Sequence, residues 1–190
     1  LSVLGKHNIY NALAALAAGL MLDLKLSQIK QGLEEFPGVR RRLEVIYDQE
    51  FTIIDDFAHN PASLKANFKT LQKFDYNNLI IVHFLKGQRG VAANRRNAKI
   101  IADWKQRLNI TNLITTSADS QVKPKNKVLP AETTAFQETI TQQGLTSKHY
   151  QELFPALQHA FQTINPQDLL LLLGGPGLNQ AHQLITDHFL

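Results

Sequence analysis

From residue 43 to residue 190, short apolar runs alternate with helical patterns, and this alternation leaves few possible folds. The apolar runs predict strands at 43–47, 51–55, 79–84, 112–116, 148–150 and 168–173. The intervening patterns predict helices at 61–74, 94–108, 131–143, 153–164 and 178–189. Strands and helices alternating at this spacing indicate a doubly wound, mainly parallel α/β sheet covered by helices on both faces. The first two strands are close enough in sequence to form a hairpin.

The first 36 residues have a different texture. Ala and Leu dominate 7–22, which predicts a helix with Asn8 as a cap, and 27–35 predicts a second helix capped by Ser27. Pro37-Gly38 then breaks the pattern. We therefore place a boundary at about 36–42. It separates the end of one domain, residues 1–38, from a second domain, residues 39–190.

Composition excludes several classes of function. The chain carries 20 Lys and Arg against 16 Asp and Glu and no Cys, so disulfides, zinc–thiolate sites and thiol nucleophiles are excluded. A formal charge of +4 does not argue for nucleic acid, and most of the basic residues are interpreted as solvated surface. No apolar stretch is long enough to cross a membrane. A cytoplasmic protein is expected, and the start without Met suggests a chain that begins inside a longer protein.

Polar residues cluster where the predicted strands end, which is where ligands bind in such sheets. The first cluster, 55–61, reads DDFAHNP. Asp56 there is suited to accept hydrogen bonds from vicinal hydroxyls, as on a ribose, and the following helix start, with His59, is suited to a phosphate. Alternatively, Asp56 and Asn60 only cap the turn. Local physics leaves these two interpretations open.

Two more clusters follow later strands. Residues 85–90, LKGQRG, place Lys86 and Arg89 on a Gly-flanked loop, which brings cations and backbone donors to an anion, although exposed loops commonly carry such residues. Residues 174–177, GGPG, form either a phosphate-binding turn or a tight turn that lets strand and helix pack closely. The second interpretation is favoured because the dinucleotide spacing and the P-loop residues are both missing.

Three segments together resemble the Mur ligase family. Residues 5–15, GKHNIYNALAA, resemble the family's G-x-H-N-x-x-N-x-x-A-A helix at the end of its central domain. Residues 36–44, FPGVRRRLE, are similar to the junction in which F-x-G-V precedes R-x-E, and 56–61, DFAHNP, are similar to its D-x-A-H-x-P segment. Cyanophycin synthetases and folylpolyglutamate synthases share variants of the last. The resemblance spans the chain and implies that 39–190 are the family's Rossmann-like C-terminal domain.

The resemblance also implies a reaction. Members of this family use ATP and magnesium to phosphorylate a carboxylate, and an amino group then displaces the phosphate to form an amide, as in peptidoglycan precursor synthesis. Carried over by motif, one group of residues contacts ATP: His7, Asn8, Asn11, Arg42, Asp56, His59 and Asn60. Lys86 and Arg89 are candidates for binding anionic groups of the substrates, a small-molecule acid and an amino acid or amine.

The sequence departs from the family's pattern in two respects. No G-x-x-x-x-G-K-S/T occurs, and the magnesium ligands are expected upstream, so we expect neither a catalytic residue nor a metal site here, and no activity from the chain alone. The D-N-P-R and G-G-D-R-D segments of diaminopimelate-adding relatives are also absent, which argues against that amine. The alternative is a non-catalytic nucleotide-binding or regulatory α/β module. An oxidoreductase is disfavoured because no G-x-G-x-x-G opens a helix.

Overall fold

The computed structural model describes residues 3–190 and contains one six-stranded sheet among them. Its strands are β1 (Glu44–Asp48), β2 (Thr52–Asp56), β3 (Leu79–Phe84), β4 (Ile110–Thr116), β5 (Ser147–Tyr150) and β6 (Leu169–Leu173). They lie in the order β1-β2-β6-β3-β4-β5. The β1–β2 hairpin is antiparallel and all other neighbours are parallel. The predicted fold class and the hairpin are confirmed.

Seven α-helices accompany the sheet. They are α1 (His7–Met21), α2 (Leu26–Glu35), α3 (Pro61–Leu71), α4 (Val91–Asp103), α5 (Pro130–Gln142), α6 (Leu153–Thr163) and α7 (Ala181–His188). Most bounds agree with the prediction within three residues. The exception is α4, predicted at 94–108. It begins directly after Gly90, whose φ of 81° lets the chain turn sharply into the helix, and it ends five residues early in a series of turns.

Helix starts were predicted with mixed success. Asn60 caps α3 as expected, since its side-chain oxygen accepts the N–H of Ser63 at 3.1 Å and Pro61 follows it. The predicted caps Asn8 and Ser27 are wrong. Both residues lie inside their helices, and the Asn8 amide instead donates to the Leu4 carbonyl at 2.7 Å.

Two apolar cores lie on opposite faces of the sheet. Alternate leucines of β6 point to each of them: Leu171 and Leu173 join the core under α3, α4 and α5, while Leu170 and Leu172 join the core under α6 and α7. Every residue of β3 and β6 is buried. Because burying one such side chain contributes about 1.5–3 kcal/mol, these central strands anchor the sheet edge at which ligands are expected.

Helices α1 and α2 are packed quite differently. They contact each other, but Gly19 and Ile29 are their only buried residues. Large apolar side chains on both remain in solvent. Met21, the last residue of α1, is 85% exposed, and Leu26, the first of α2, is 65% exposed. Between the helices runs an apolar groove of about 460 Å³. Within residues 3–190, no helix is both long and apolar enough to span a membrane.

Candidate active site at the carboxyl edge of the sheet

The three polar clusters predicted from sequence meet at one edge of the sheet. They follow β2, β3 and β6, and these strands are neighbours because β6 lies between the other two. Strands β2, β6 and β3 run parallel, so their carboxyl ends coincide. The site is therefore built by topology from three segments at 55–61, 85–90 and 174–177.

A buried arginine joins the first and third clusters. The Nε atom of Arg41 lies 3.1 and 3.0 Å from the two carboxylate oxygens of Asp55. Its other nitrogens donate to the carbonyls of Gly174 at 2.8 Å and Gly175 at 3.0 Å, and to the Asn179 side chain at 2.6 Å. We call these five residues the latch. Interpreting the Arg40–Arg42 run as solvated surface was wrong for Arg41, which is 8% exposed.

The latch places a carboxylate in a nearly dry environment. Burial raises the pKa of Asp55 from 3.8 to about 6, and the attraction of Arg41 opposes this shift only in part. The sequence offered one usable signal for the pair. A carboxylate on a buried strand needs a partner, and three arginines lie in the preceding turn.

Asp56 is engaged by the backbone around it. One carboxylate oxygen accepts the N–H of Leu43 at 2.7 Å and the other accepts the N–H of Ala58 at 2.6 Å. The side chain is 4% exposed and lines no cavity described below. These contacts are the ones expected if Asp56 supports the turn. A ribose hydroxyl could bind only to the remaining lone pair of an oxygen that already accepts a hydrogen bond.

The glycine-rich turn after β6 packs closely and faces the latch. A Cβ on Gly174, whose φ is 141°, would lie 2.8 Å from the Cβ of Phe84, and one on Gly177 would overlap the Phe84 ring. The carbonyls of this turn point at Arg41. The close-packing interpretation is therefore confirmed, because these glycines admit the phenylalanine.

The second and first clusters enclose a polar cleft of about 330 Å³. Its lining comes from the ends of β2 and β3 and the starts of α3 and α4, and includes His59, Asn60, His83, Lys86, Arg89, Asn94, Arg96 and Asn97. We call this the cleft. It brings four sequence candidates together: His59, Asn60, Lys86 and Arg89.

His59 is held in one orientation by its neighbours. Its Nδ1 atom lies 2.9 Å from the Phe57 carbonyl, and its own carbonyl accepts the Asn97 amide at 3.1 Å. Burial lowers the pKa of His59, and the positive charges of Lys86 and Arg89 lower it further, against the Phe57 carbonyl. In the neutral ring with Nδ1 protonated, Nε2 accepts hydrogen bonds, so the predicted donation to a phosphate requires a protonated His59.

Glu132 of α5 organises the cation-bearing loop, which sequence reasoning missed. Its carboxylate accepts the N–H groups of Gln88 at 3.0 Å, Arg89 at 3.0 Å and Gly90 at 2.7 Å, and also that of Leu129 at 3.0 Å. Burial would raise the pKa of Glu132, but these four bonds hold it below its usual range. The backbone donors expected to bind a ligand are thus already occupied by an internal anion.

The cations of the loop remain available. Lys86 is half-buried and Arg89 is exposed, and neither side chain forms an ion pair among the described residues. Burial lowers the pKa of Lys86, and the nearby charges of Arg89 and Lys125 act in the same direction. Unpaired cations in a cleft are suited to bind an anion.

His83 lies at the floor of the cleft and was not a sequence candidate. Its Nδ1 is 2.9 Å from the Leu173 carbonyl, and its ring stacks on Phe136 with centroids 5.5 Å apart. Burial lowers the pKa of His83 to about 4, with the Leu173 carbonyl opposing. The available signal was a histidine next to the end of an otherwise apolar central strand.

The remaining candidates line a separate cavity of about 300 Å³, between α1 and the segment 36–42. His7, Asn8, Asn11 and Arg42 all contribute to it, and the Asn11 amide donates to the Asn8 oxygen at 2.8 Å. We call this the junction cavity. The sequence candidates for ATP therefore divide between the junction cavity, the cleft and the buried turn around Asp56.

The carboxylates next to the latch and the cleft are already engaged by other groups. Asp55 is paired with Arg41, and the oxygens of Asp56 and Glu132 are taken by backbone N–H groups. Across residues 3–190 there is no group of three or more His, Asp or Glu side chains arranged for a metal ion. The residues around the latch and the cleft therefore do not fit a magnesium site.

Comparison with known proteins gives a consistent family. Residues 41–175 match the family model described as Mur ligase, glutamate ligase domain. A UDP-N-acetylmuramate–L-alanine ligase of Nostoc sp. is 29% identical over 188 residues, which are 95% of this chain and 36% of that protein. One from Persephonella marina is 45% identical over 83 residues, 43% of this chain and 18% of that protein. The chain thus spans about a third or less of these relatives.

Solved structures agree on the fold. A UDP-N-acetylmuramate–alanine ligase of Thermotoga maritima superposes with a TM-score of 0.70 at 22% identity, covering 98% of this chain and 38% of that one. A Mycobacterium tuberculosis folylpolyglutamate synthase, solved with ADP and AMPPCP, superposes with a TM-score of 0.74 at 20% identity over 98% and 41%. These likenesses show the same Rossmann-like domain.

Proposed function

Since the chain belongs to the Mur ligase family, we propose that it is the C-terminal part of an ATP-dependent ligase that joins a carboxylic acid to an amino acid. The observation that carries the proposal is the cleft. It presents unpaired cations at the carboxyl edge of the sheet, where an α/β domain binds its ligands. Names of the relatives favour UDP-N-acetylmuramate and L-alanine as substrates, which makes peptidoglycan precursor synthesis the proposed pathway.

The proposed reaction has two steps. The acid carboxylate first takes the γ-phosphoryl group of ATP, and ADP leaves. The amine nitrogen then attacks the acyl phosphate carbon, the C–O bond breaks as phosphate leaves, and the nitrogen loses a proton to water to give the amide. Stabilising the transferred phosphoryl group needs a phosphate-binding loop and Mg²⁺ ligands, for which this sequence has no motif. We therefore propose that those parts lie in another segment of the whole protein, and that this chain alone is inactive.

The junction cavity is the proposed contact with ATP. His7, Asn8 and Asn11 offer an exposed imidazole and two amides to a purine, and Arg42 offers a cation to the phosphates. Asp56 holds the N–H of Leu43, the residue next to Arg42. We propose that Asp56 supports nucleotide binding through this turn. Asn60 at the start of α3 is the proposed contact of the γ-phosphoryl end, and His59 joins it when the phosphate charge protonates the ring.

A pair of variants tests this assignment. In a protein that binds ATP, Arg42→Ala should weaken ATP affinity about ten- to a hundredfold without changing the melting temperature, because Arg42 is exposed. Asp56→Ala should lower both the ATP affinity and the melting temperature, because two backbone N–H groups lose their acceptor. Unchanged ATP affinity in Arg42→Ala would exclude the junction cavity as the nucleotide site.

The substrate contacts proposed are Lys86 and Arg89. Both cations face the cleft, and no carboxylate neutralises them there. They suit the carboxylate of the incoming amino acid, which carries one negative charge. Bidentate recognition by an arginine gives such a carboxylate a fixed orientation.

Helices α1 and α2 are proposed to complete the end of a preceding domain, residues 1–38. Their apolar side chains are exposed in this chain, whereas the sheet domain buries its own on both faces. Exposed apolar patches of this kind mark surfaces that another part of a protein covers. The junction cavity then lies between the two domains, so closing one on the other would enclose the nucleotide.

A chimera tests the function directly. This chain replaces the matching 36% of the Nostoc ligase, and ADP release is measured with UDP-N-acetylmuramate and L-alanine. We expect ADP release that depends on both substrates, whereas the 190-residue chain alone releases none. ATP turnover by the isolated chain, abolished by Asp56→Ala, would contradict the division of the site. A folded chimera that binds ATP and forms no amide would contradict the ligase assignment.

A further inference from the structure

The cleft has two chemically different parts. Its rim carries three cations, Lys86, Arg89 and Arg96. Its floor and wall carry neutral groups, chiefly His83 and Asn97. A site for an anion alone needs only the cations, so the neutral groups call for a separate explanation.

The proton on His83 is placed by the sheet. A carbonyl oxygen only accepts, so the 2.9 Å contact between Nδ1 and Leu173 puts the proton on Nδ1. The ring is neutral near pH 7 because burial lowers its pKa to about 4. Nε2 then carries a lone pair. Since Nδ1 is committed to β6, Nε2 is the ring nitrogen left for the cleft.

Asn97 offers a second acceptor. Its Nδ2 donates to the His59 carbonyl at 3.1 Å, which fixes the amide orientation and leaves Oδ1 as an acceptor. Among residues 3–190 this Oδ1 has no hydrogen-bond partner, and Asn97 is only 7% exposed. A buried oxygen without a donor is unfavourable, so a ligand N–H at this position would be favoured.

We propose that His83 Nε2 and Asn97 Oδ1 accept hydrogen bonds from the amino group of the incoming amino acid, and that the cleft binds this group as a neutral amine. The proposal rests on the proposed ligase function. The amino acid carboxylate lies on Arg89 and Lys86, which orients its nitrogen toward the floor. His83 is thereby assigned as a catalytic residue, because it touches the attacking nucleophile.

Charge decides the protonation state of the bound nitrogen. His59 after β2, Lys86 and Arg89 after β3, and Arg96 on α4 are the titratable groups that line the cleft, and all are neutral or positive. On α5 the neighbour of His83 is the Phe136 ring, and the nearby Glu132 carboxylate is engaged by four backbone N–H groups. An ammonium ion here would meet like charges and no lining carboxylate, so its proton leaves to water on binding. The neutral nitrogen keeps the lone pair that attack on an acyl phosphate requires.

The test uses the 190-residue chain with ¹⁵N-labelled histidines and arginines and two probes, L-alanine and propionate. Propionate has the same carbon chain and carboxylate but no amine. We expect both probes to shift the Arg89 side-chain signals. Only L-alanine should shift His83 Nε2. His149 on β5, which is bonded to Thr115 outside the cleft, is the internal control and should not move with either probe.

Calorimetry in buffers of different ionisation enthalpy gives the second measurement. L-alanine binding should release one proton, so its affinity should rise about tenfold for each unit of increasing pH below the amine pKa. Propionate binding should release no proton. His83→Leu should weaken L-alanine binding about tenfold and leave propionate binding unchanged. His149→Leu is the matched control. The wild-type measurements decide the proposal even if His83→Leu does not fold.

The possible failures are distinguishable. L-alanine binding without a His83 shift, or without proton release, overturns the neutral-amine proposal and leaves the ligase assignment standing. Propionate binding with no L-alanine binding does the same. If neither probe shifts any cleft residue, the proposed substrate site fails as well.

Discussion

The latch and the cleft lie side by side at the same edge of the sheet, yet their polar groups are used in opposite ways. In the latch, the Arg41 guanidinium contacts a carboxylate, two carbonyls and an amide, and is 8% exposed. In the cleft, Arg89 is exposed and unpaired, and the loop that carries it is held by Glu132 through the backbone. The difference separates groups that hold the edge together from groups that remain available to a ligand.

This contrast changes how the motif residues are interpreted. Asp56 lies in the most specific motif of the chain, but its oxygens are occupied by two N–H groups. His83 lies in no motif, yet it lines the cleft, with Nδ1 bonded to the Leu173 carbonyl. A motif identifies residues that a site requires, and contacts distinguish those that shape the site from those that touch the ligand.

The largest effect is expected from breaking the latch. Arg41→Leu leaves the Asp55 carboxylate buried without its counter-ion, and two carbonyls lose their donor. The free energy of unfolding should fall by about 3–5 kcal/mol in urea denaturation. Arg40→Leu, one residue earlier and exposed, should change it by less than about 0.5 kcal/mol. An Arg41→Leu cost no larger than the control would mean that the latch does not hold this edge.

The pH dependence of stability tests the same pair. The pKa of Asp55 is about 6 in the folded chain and 3.8 as its ordinary value, so the folded state binds the proton more readily between these limits. Its contribution to stability is therefore fully present below about pH 4, falls by at most about 1.4 kcal/mol per pH unit, and is constant above about pH 6.

Subtracting the profile of Asp55→Asn isolates this term from other carboxylates. Unfolding free energies of both proteins are measured by urea titration from pH 4 to pH 7. A difference that rises with pH over this range would show that Arg41 outweighs burial at Asp55.

A smaller loss of unfolding free energy is expected for Glu132, whose carboxylate holds the loop that carries the cleft's cations. Glu132→Gln turns one acceptor into a donor that faces backbone N–H groups, which should cost about 1.5–3 kcal/mol. Amide hydrogen exchange at Gln88, Arg89 and Gly90 should accelerate. Glu138→Gln, on the exposed side of the same helix, is the control. Unchanged exchange at the loop would show that Glu132 is not what orders it.

The fold could be predicted well because it depends on the order of apolar and polar residues along the chain. The apolar runs 79–82 and 169–173 mark central strands, and Asn60-Pro61 marks a helix start, each through local physics. The caps at Asn8 and Ser27 were wrong because residue preference alone does not fix where a helix begins. The first residue of a helix depends on the preceding turn.

The site was predictable only in part, for a related reason. Topology brought His59, Lys86 and Arg89 to one cleft, as strand order implies. Partners more than forty residues away, such as Glu132 for the Arg89 loop and Gly175 for Arg41, leave no local signal. Whether a charged residue is free or engaged depends on such contacts. They explain why Arg41 is buried in the latch whereas Arg42 is exposed.

We propose above all that cleft residues bind the substrate, whereas latch residues stabilise the fold. The most direct test is the KM for L-alanine of the chimeric ligase carrying Arg89→Ala, measured together with its melting temperature. We predict a KM about ten- to a hundredfold higher, because a charge-assisted contact is lost, and an unchanged melting temperature. Arg95→Ala, an exposed arginine of α4 that does not line the cleft, should alter neither quantity. An unchanged KM in Arg89→Ala, in a chimera that still forms amide, would contradict the claim.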